Sequence, residues 1–221
     1  MHNPALLAVF ALGIFSFIVF NIVSRTFYKN RHGDKYHFYN MFPYEFNYPS
    51  VFKENPYGNF LFILSSAVIA AFYVINPYAD IAQRIIAIAF TMMLICLIMM
   101  PLYYLKTHLA LSCTTMVLAM VLPLLNFFSL KSFIDHGPLS TIQNVMAITS
   151  LVISGLLSLA MLLFILNPKL SFKIYYDKTV DADGNEVLKR PKVIFLAFNE
   201  WMSIFIYFLS PLGLLLFALV A

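Results

Sequence analysis

Long apolar runs dominate the pattern of hydrophobic and polar positions along this chain. A helix needs about 20 consecutive apolar residues to cross the hydrocarbon core of a bilayer. Six segments meet that length, at residues 5–24, 59–76, 85–104, 109–130, 142–166 and 201–221. None of them shows the alternating pattern of a membrane β-barrel strand. The sequence therefore predicts an all-α polytopic membrane protein, a six-helix bundle that forms a single domain.

Four Asn-Pro pairs mark the edges of these spans. Proline has no N–H to continue a helix, and it biases the residue before it away from helical geometry. The pairs are Asn3-Pro4, Asn55-Pro56, Asn76-Pro77 and Asn167-Pro168. Their positions support the predicted boundaries.

The composition agrees with this class. The chain is 62% hydrophobic and 11% charged, whereas average soluble domains are about 45–50% apolar and about 25% charged. Such a composition excludes a disordered chain, a coiled coil and an ordinary soluble enzyme. Two cysteines in 221 residues also exclude a disulfide scaffold.

Basic residues are distributed unequally among the connecting segments. Twelve of the 14 Lys and Arg residues fall in segments 25–58, 105–108 and 167–200, which share one side of the membrane, and Arg84 and Lys131 lie on the other. The positive-inside rule places the basic side in the cytoplasm. We therefore expect both termini outside the cytoplasm, and the short loops favour a bacterial cytoplasmic membrane. The net charge of +4 then reflects topology and attraction to anionic lipid headgroups.

The first long cytoplasmic segment, 25–58, is rich in aromatic residues. Its run from Tyr44 to Tyr48 alternates, which predicts an extended piece with one buried face. Aromatic residues suit either a belt on the lipid headgroups or the core of a protein interface, and both interpretations stay open. With two tyrosines of the second long segment, the candidates for docking a partner are Tyr36, Phe38, Tyr39, Phe42, Tyr44, Phe46, Tyr48, Tyr175 and Tyr176.

The second long cytoplasmic segment, 167–200, predicts a short β-hairpin. Residues 173–180 and 186–190 have strand-like composition, and an Asp-Gly pair between them is a turn signal. A two-stranded hairpin is marginally stable alone, so it should contact the first segment, the membrane surface or another protein. We expect residues 193–198 to lie in the interface before the chain enters the membrane at Asn199.

Groups for catalysis or metal binding are sparse in the predicted spans. Of the ten Asp and Glu residues, only Glu200 is a candidate for burial, although ion-coupled transporters usually hold ionisable groups within the membrane. No histidine falls in the middle of a span, which argues against a haem between helices. The acidic turn around Gly184 lacks the final Glu of an EF-hand calcium loop. We therefore predict no catalytic residue, no metal and no cofactor.

Glu200 has two interpretations. In the first, Asn199 caps the last helix, and Glu200 occupies its first turn, where negative charge suits the helix dipole. In the second, Glu200 is a buried functional carboxylate that lines a solute site. Lys106 and His108 at the tight turn either extend to the headgroups or line that site. The solute-site candidates are Lys106, His108, Thr114, Asn199 and Glu200.

Small residues repeat along the fifth span. Ser150, Ser154 and Ser158 recur at every fourth position. Small residues at this spacing let membrane helices approach closely. These serines are therefore predicted to form a helix-packing face.

Three functional hypotheses follow from these features. The leading one is a non-enzymatic integral subunit or accessory protein of a larger membrane complex, docked through its aromatic cytoplasmic segments. The alternative is a small-solute transporter or its membrane-embedded substrate-binding subunit, to which the chain is similar only in span count and size. A membrane enzyme acting on lipid or peptide is least favoured, because the spans show no acid–base pair. The expected partners are membrane lipids and either another protein or a second copy of this chain, and not nucleic acid.

Overall fold

The computed structural model describes residues 4–33, 35–47, 55–99, 105–170, 177–180 and 186–221. The helices in these residues are α1 (Pro4–His32), α2 (Pro56–Ile75), α3 (Ile81–Met99), α4 (Leu105–His136), α5 (Thr141–Ile165), α6 (Phe195–Leu209) and α7 (Leu212–Ala218), with a 3₁₀ helix at Pro43–Asn47. Six described segments are long and apolar enough to cross a membrane, namely α1 to α5 and the pair α6–α7. The predicted class, a helical multi-pass membrane protein, is confirmed.

Two helices continue well past their predicted spans. Helix α1 extends to His32, and its last turn carries Lys29, Arg31 and His32, whose charge suits the negative end of the helix dipole. The helix ends at Gly33, which has a φ of 76° that glycine adopts without a steric cost. Helix α4 runs on to His136, because polar residues beyond the hydrocarbon core also form helix.

The last helix begins earlier than residue 201, the predicted start of its span, and the expected position of residues 193–198 in the membrane interface stays a prediction. Helix α6 begins at Phe195, and the N–H of Phe198 already bonds the Ile194 carbonyl at 3.0 Å. Leu196 and Ala197 are buried, so these apolar residues join the bundle as the first turn of α6.

The last span is broken into two helices. Helix α6 ends at Leu209, and α7 begins at Leu212. Pro211 between them has no N–H to donate. In the most apolar part of each span, 72% of the α6–α7 residues are buried, against 22% for α5. The α6–α7 segment is therefore the most enclosed of the six described spans, and α5 is the least buried of them.

The alternating run that begins at Tyr44 is not extended, so this prediction is wrong. Residues Pro43–Asn47 form a 3₁₀ helix, and all five are buried. The Glu45 carboxylate accepts the Phe42 N–H at 2.8 Å, which closes the turn locally. With rings buried on every side of this short helix, the alternation in the sequence does not mark a single buried face.

Two short strands follow α5. Strand β1 (Asp177–Val180) pairs antiparallel with β2 (Glu186–Lys189), with Asp177 opposite Lys189 and Val180 opposite Glu186. The five residues predicted to form the turn between them lie outside the described part of the chain.

The chain that follows β2 is bound to the first long segment. Arg190 Nη1 lies 2.8 Å from a Glu45 carboxylate oxygen. The Ile194 N–H donates to the Tyr39 carbonyl at 2.9 Å, and the Asn40 side chain donates to the Pro191 carbonyl at 3.3 Å. The two long segments therefore contact each other at the same end of the bundle.

Candidate functional site

Three polar side chains meet inside the bundle between α4 and α6. Glu200 Oε1 lies 2.9 Å from His108 Nε2 and accepts the Ser112 hydroxyl at 2.5 Å. Each of the three residues is 0% exposed. We call His108, Ser112 and Glu200 the carboxylate cluster.

Helical spacing explains how the cluster forms. His108 and Ser112 are four residues apart on α4, so their side chains share one face. Glu200 lies in the second turn of α6 and points at that face. The rings of Phe42 and Tyr44 stand edge-on to the His108 imidazole, with centroids 5.8 and 5.2 Å away. The buried 3₁₀ helix and the residue before it thus cover the cluster on the loop side.

One oxygen of this buried carboxylate has no partner among the described residues. Glu200 Oε2 makes no hydrogen bond to any described residue. Leaving a buried acceptor unsatisfied is energetically costly, and the cost is greater for a charged group. A proton on Oε2 or a cation beside it would remove that cost. Since imidazole also exchanges protons near neutral pH, the cluster can hold a proton and pass it between His108 and Glu200.

The structure brings together two of the five predicted solute-site residues, His108 and Glu200. Asn199 is buried but donates elsewhere, to the Phe164 carbonyl at 3.0 Å. Lys106 and Thr114 are exposed. The interpretation of Asn199 as the helix cap, with Glu200 in the first turn, is wrong because α6 starts at Phe195.

Ser112 was absent from the predicted solute-site residues. Its position one turn after His108 is the sequence signal that could have identified it. The signal has meaning only once His108 is known to face inward, and His108 lies close to the predicted end of the span. The missing information was therefore the direction in which the first turn of α4 points.

A second buried polar network joins four helical segments, and sequence analysis missed it. Asn126 of α4 donates to Tyr73 Oη at 3.0 Å and to the Ser210 carbonyl at 2.9 Å. Gln83 of α3 donates to Asn126 Oδ1 at 3.0 Å. Because the Ser210 carbonyl lies at the break before Pro211, Asn126 satisfies an acceptor in the middle of the last span.

Most of the described docking candidates are buried inside the chain itself. Tyr36, Phe42, Tyr44 and Phe46 belong to the core, Phe38 is half-buried, and Tyr39 is 38% exposed. Tyr48, Tyr175 and Tyr176 lie outside the described residues. The described aromatic residues of the first segment therefore mainly complete the core of this protein.

Tyr36 links that segment to α6. Its hydroxyl donates to the Phe42 carbonyl at 2.7 Å and accepts the Trp201 indole N–H at 3.0 Å. Burial, and then the negative charge of Glu45, raise the pKa of the Tyr36 phenol well above its usual value. The phenol therefore stays protonated in the folded protein.

The serine face of α5 packs inward. Ser150, Ser154 and Ser158 are buried. Ser158 Oγ donates to the Met120 carbonyl of α4 at 3.0 Å. A methyl group at Gly213 of α7 would overlap Ser154 Oγ, so α5 and α7 are in close contact at this point.

No group of three or more His, Cys, Asp or Glu side chains in the described part of the chain is arranged to hold a metal ion. Comparisons with protein-family models, curated proteins and solved structures found no match. The assignment of a function therefore depends on the geometry of the site.

Proposed function

We propose that this chain is a small-solute membrane transporter, or the substrate-binding membrane subunit of one, and that the carboxylate cluster is its proton-binding site. The observation that carries the proposal is Glu200 itself, fully buried with one oxygen bonded and the other without a partner in the described residues. Ionisable side chains inside membrane spans are rare, and they typically mark ion pathways and proton relays.

A purely structural role accounts less well for this arrangement. Burying a carboxylate beside an imidazole costs desolvation energy that their attraction barely offsets, and apolar residues of similar volume often stabilise a protein more. A side chain selected for stability alone would also gain from a partner for its second oxygen. A bound proton would satisfy Glu200 Oε2, which has no hydrogen-bond partner in the described residues.

The orientation proposed from the basic residues places the cluster near the cytoplasmic face. His108 lies in the first turn of α4, and Glu200 lies in the second turn of α6. Both helices begin on the side that carries 12 of the 14 Lys and Arg residues. With both termini outside the cytoplasm of a bacterial membrane, protons would reach Glu200 from the cytoplasm.

Proton binding can be tested without knowing the solute. Infrared difference spectra of the purified protein between acid and neutral pH would show the carboxylic C=O stretch of a titrating buried acid. We expect a band that disappears in Glu200→Gln and shifts in His108→Gln. Asp135→Asn is the matched control, because Asp135 is exposed and paired with Lys131 at the opposite end of α4. A band that persists in Glu200→Gln would refute proton binding by the cluster.

Transport is tested in liposomes that contain the protein and a pH-sensitive dye. Amino acids, sugars, nucleosides and small carboxylates are added outside in turn. We expect one class to drive proton movement in the wild type and in Asp135→Asn but not in Glu200→Gln. Movement that is unchanged in Glu200→Gln would contradict the proposal.

The second candidate function is an integral subunit of a larger membrane complex. The observations in its favour are the two-stranded sheet of β1 and β2, which would be marginal alone in water, and the exposed Tyr39. Purification in mild detergent followed by intact-mass spectrometry separates the two candidates. A stoichiometric protein partner, together with the absence of a Glu200 infrared band, would favour the subunit.

A further inference from the structure

A basic pocket lies at the end of α1, apart from the carboxylate cluster. Arg25, Thr26 and Lys29 of the helix and Lys35 and Tyr36 of the returning chain line a cavity of about 230 Å³. Gly33 makes this possible, because its positive φ reverses the chain and brings residues 35 and 36 back beside α1. The Tyr36 ring forms a wall, since its hydroxyl is bonded within the core.

The three cations of this pocket have no anionic partner in the described residues. The ion pairs of the described residues involve other cations, and the Arg25 guanidinium lies 5.7 Å from the centroid of the Phe38 ring. Arg25 and Lys29 are four residues apart, a spacing at which like charges repel on a helix. Lys35 adds a third positive charge, so an anion in the pocket would relieve this repulsion.

An exposed apolar stripe leads along α1 to this pocket. Phe15, Ile18 and Ile22 are 65%, 50% and 61% exposed. At about 100° per residue, these positions and those of Arg25 and Lys29 fall within about a quarter of the helix circumference. One face of α1 therefore changes from apolar to basic along its length.

This change occurs at the depth of the lipid headgroups. Residues 4–24 of α1 span about 30 Å at about 1.5 Å per residue, which is the thickness of the hydrocarbon core. Arg25 is the next residue. In a bilayer that α1 crosses, the stripe would face acyl chains, and the pocket would lie at the level of the lipid phosphates.

We propose that the pocket binds the phosphate of an anionic phospholipid whose acyl chains lie along Phe15, Ile18 and Ile22. The Arg25 guanidinium and the two ammonium groups supply charge-assisted hydrogen bonds to the phosphate oxygens, and the Thr26 hydroxyl is a further donor. A free phosphate would satisfy the same cations. The apolar stripe favours the lipid, because only a lipid contacts both parts of this face.

Native mass spectrometry of the full chain in detergent tests this site. The probes are phosphatidylglycerol, phosphatidylcholine with the same acyl chains, glycerol 3-phosphate and inorganic phosphate. We expect phosphatidylglycerol to bind more tightly than the other three. Lys29→Gln and Lys35→Gln should each weaken it roughly fivefold, from about 1 kcal/mol for each basic residue near an anionic surface.

Lys106→Gln is the matched control, because Lys106 is an exposed lysine on the same side but outside the pocket. It should bind phosphatidylglycerol as the wild type does. Thermal unfolding in lipid-free detergent shows whether each variant is folded. Equal binding of the two phospholipids, or equal effects of Lys29→Gln and Lys106→Gln, would overturn the proposal. Inorganic phosphate that displaces phosphatidylglycerol at comparable concentration would assign the pocket to the free anion instead.

Discussion

Replacing His108 by leucine should strongly destabilise the bundle through its effect on Glu200. The carboxylate would keep one hydrogen bond, from Ser112, and would lose its contact with the His108 imidazole. Removing one partner of a buried ion pair costs about 3–5 kcal/mol. Because helices unfolded in micelles still find polar partners, we expect the lower end, about 3 kcal/mol.

A variant with both His108 and Glu200 replaced separates the energy of their contact from the effect of each substitution on its surroundings. Glu200→Leu leaves the His108 ring nitrogen without its acceptor, and such a loss costs about 1–3 kcal/mol. With both residues changed to leucine, no buried charge remains and the volume is largely kept, so the cost should fall to about 1 kcal/mol or less. We therefore expect a coupling energy of about 3–5 kcal/mol between the two positions.

The protein contains its own reporter for this measurement. Trp201 is the single tryptophan of the chain, and it is 1% exposed next to Glu200. Its fluorescence during SDS titration in mixed micelles gives the free energy of unfolding for the wild type, both single variants and the double variant.

The exposed pair Lys131–Asp135, with side chains 54% and 44% exposed, is the control for this cycle. Its coupling should not exceed about 0.5 kcal/mol. Stability changes at positions 108 and 200 that add within about 0.5 kcal/mol would refute a contact between His108 and Glu200 in the folded protein.

Other changes test the first long segment and its attachments. Gly58→Ala should cost about 1–3 kcal/mol of thermal stability, because its new methyl group would overlap the Asn55 side chain that caps α2; a neutral result would contradict this packing. Arg190→Gln should cost about 1 kcal/mol and speed proteolysis after β2 by loosening the contact with Glu45. The phenol of Tyr36 has a raised pKa, so stability should fall as pH rises above about 10, where the unfolded chain ionises. The stability of the Tyr36→Phe variant should fall less steeply over that pH range.

The helical spans could be predicted from the sequence because hydropathy alone determines them. Each described α-helix overlaps a predicted span, and Pro56 begins α2 as the Asn-Pro pair indicated. The errors lie outside the apolar spans, where hydropathy does not indicate the residue at which a helix ends. Helix α1 continues through Lys29 and Arg31, since backbone hydrogen bonding does not end at the edge of the hydrocarbon core.

The candidate site could be predicted only in part. Glu200 stood out as the one acid that was a candidate for burial, but its partner depends on how α4 and α6 are rotated, and a single sequence does not specify that rotation. The same applies to Asn126, whose partners come from three other segments. Aromatic residues such as Phe42 suited a headgroup belt or a surface for another protein, because composition does not distinguish an internal contact from an external one.

The enclosure of the α6–α7 segment has a consequence for how the protein is made in the cell. Five spans precede this segment in the chain, yet it is the one most enclosed by the others. Until it leaves the translocon, the bonding groups of Tyr73, His108 and Asn126 lack partners in α6 and at the break. Membrane insertion of the first five spans therefore has to leave a gap among the helices. Quality-control proteases that recognise unassembled helices would act on the chain until that gap is filled.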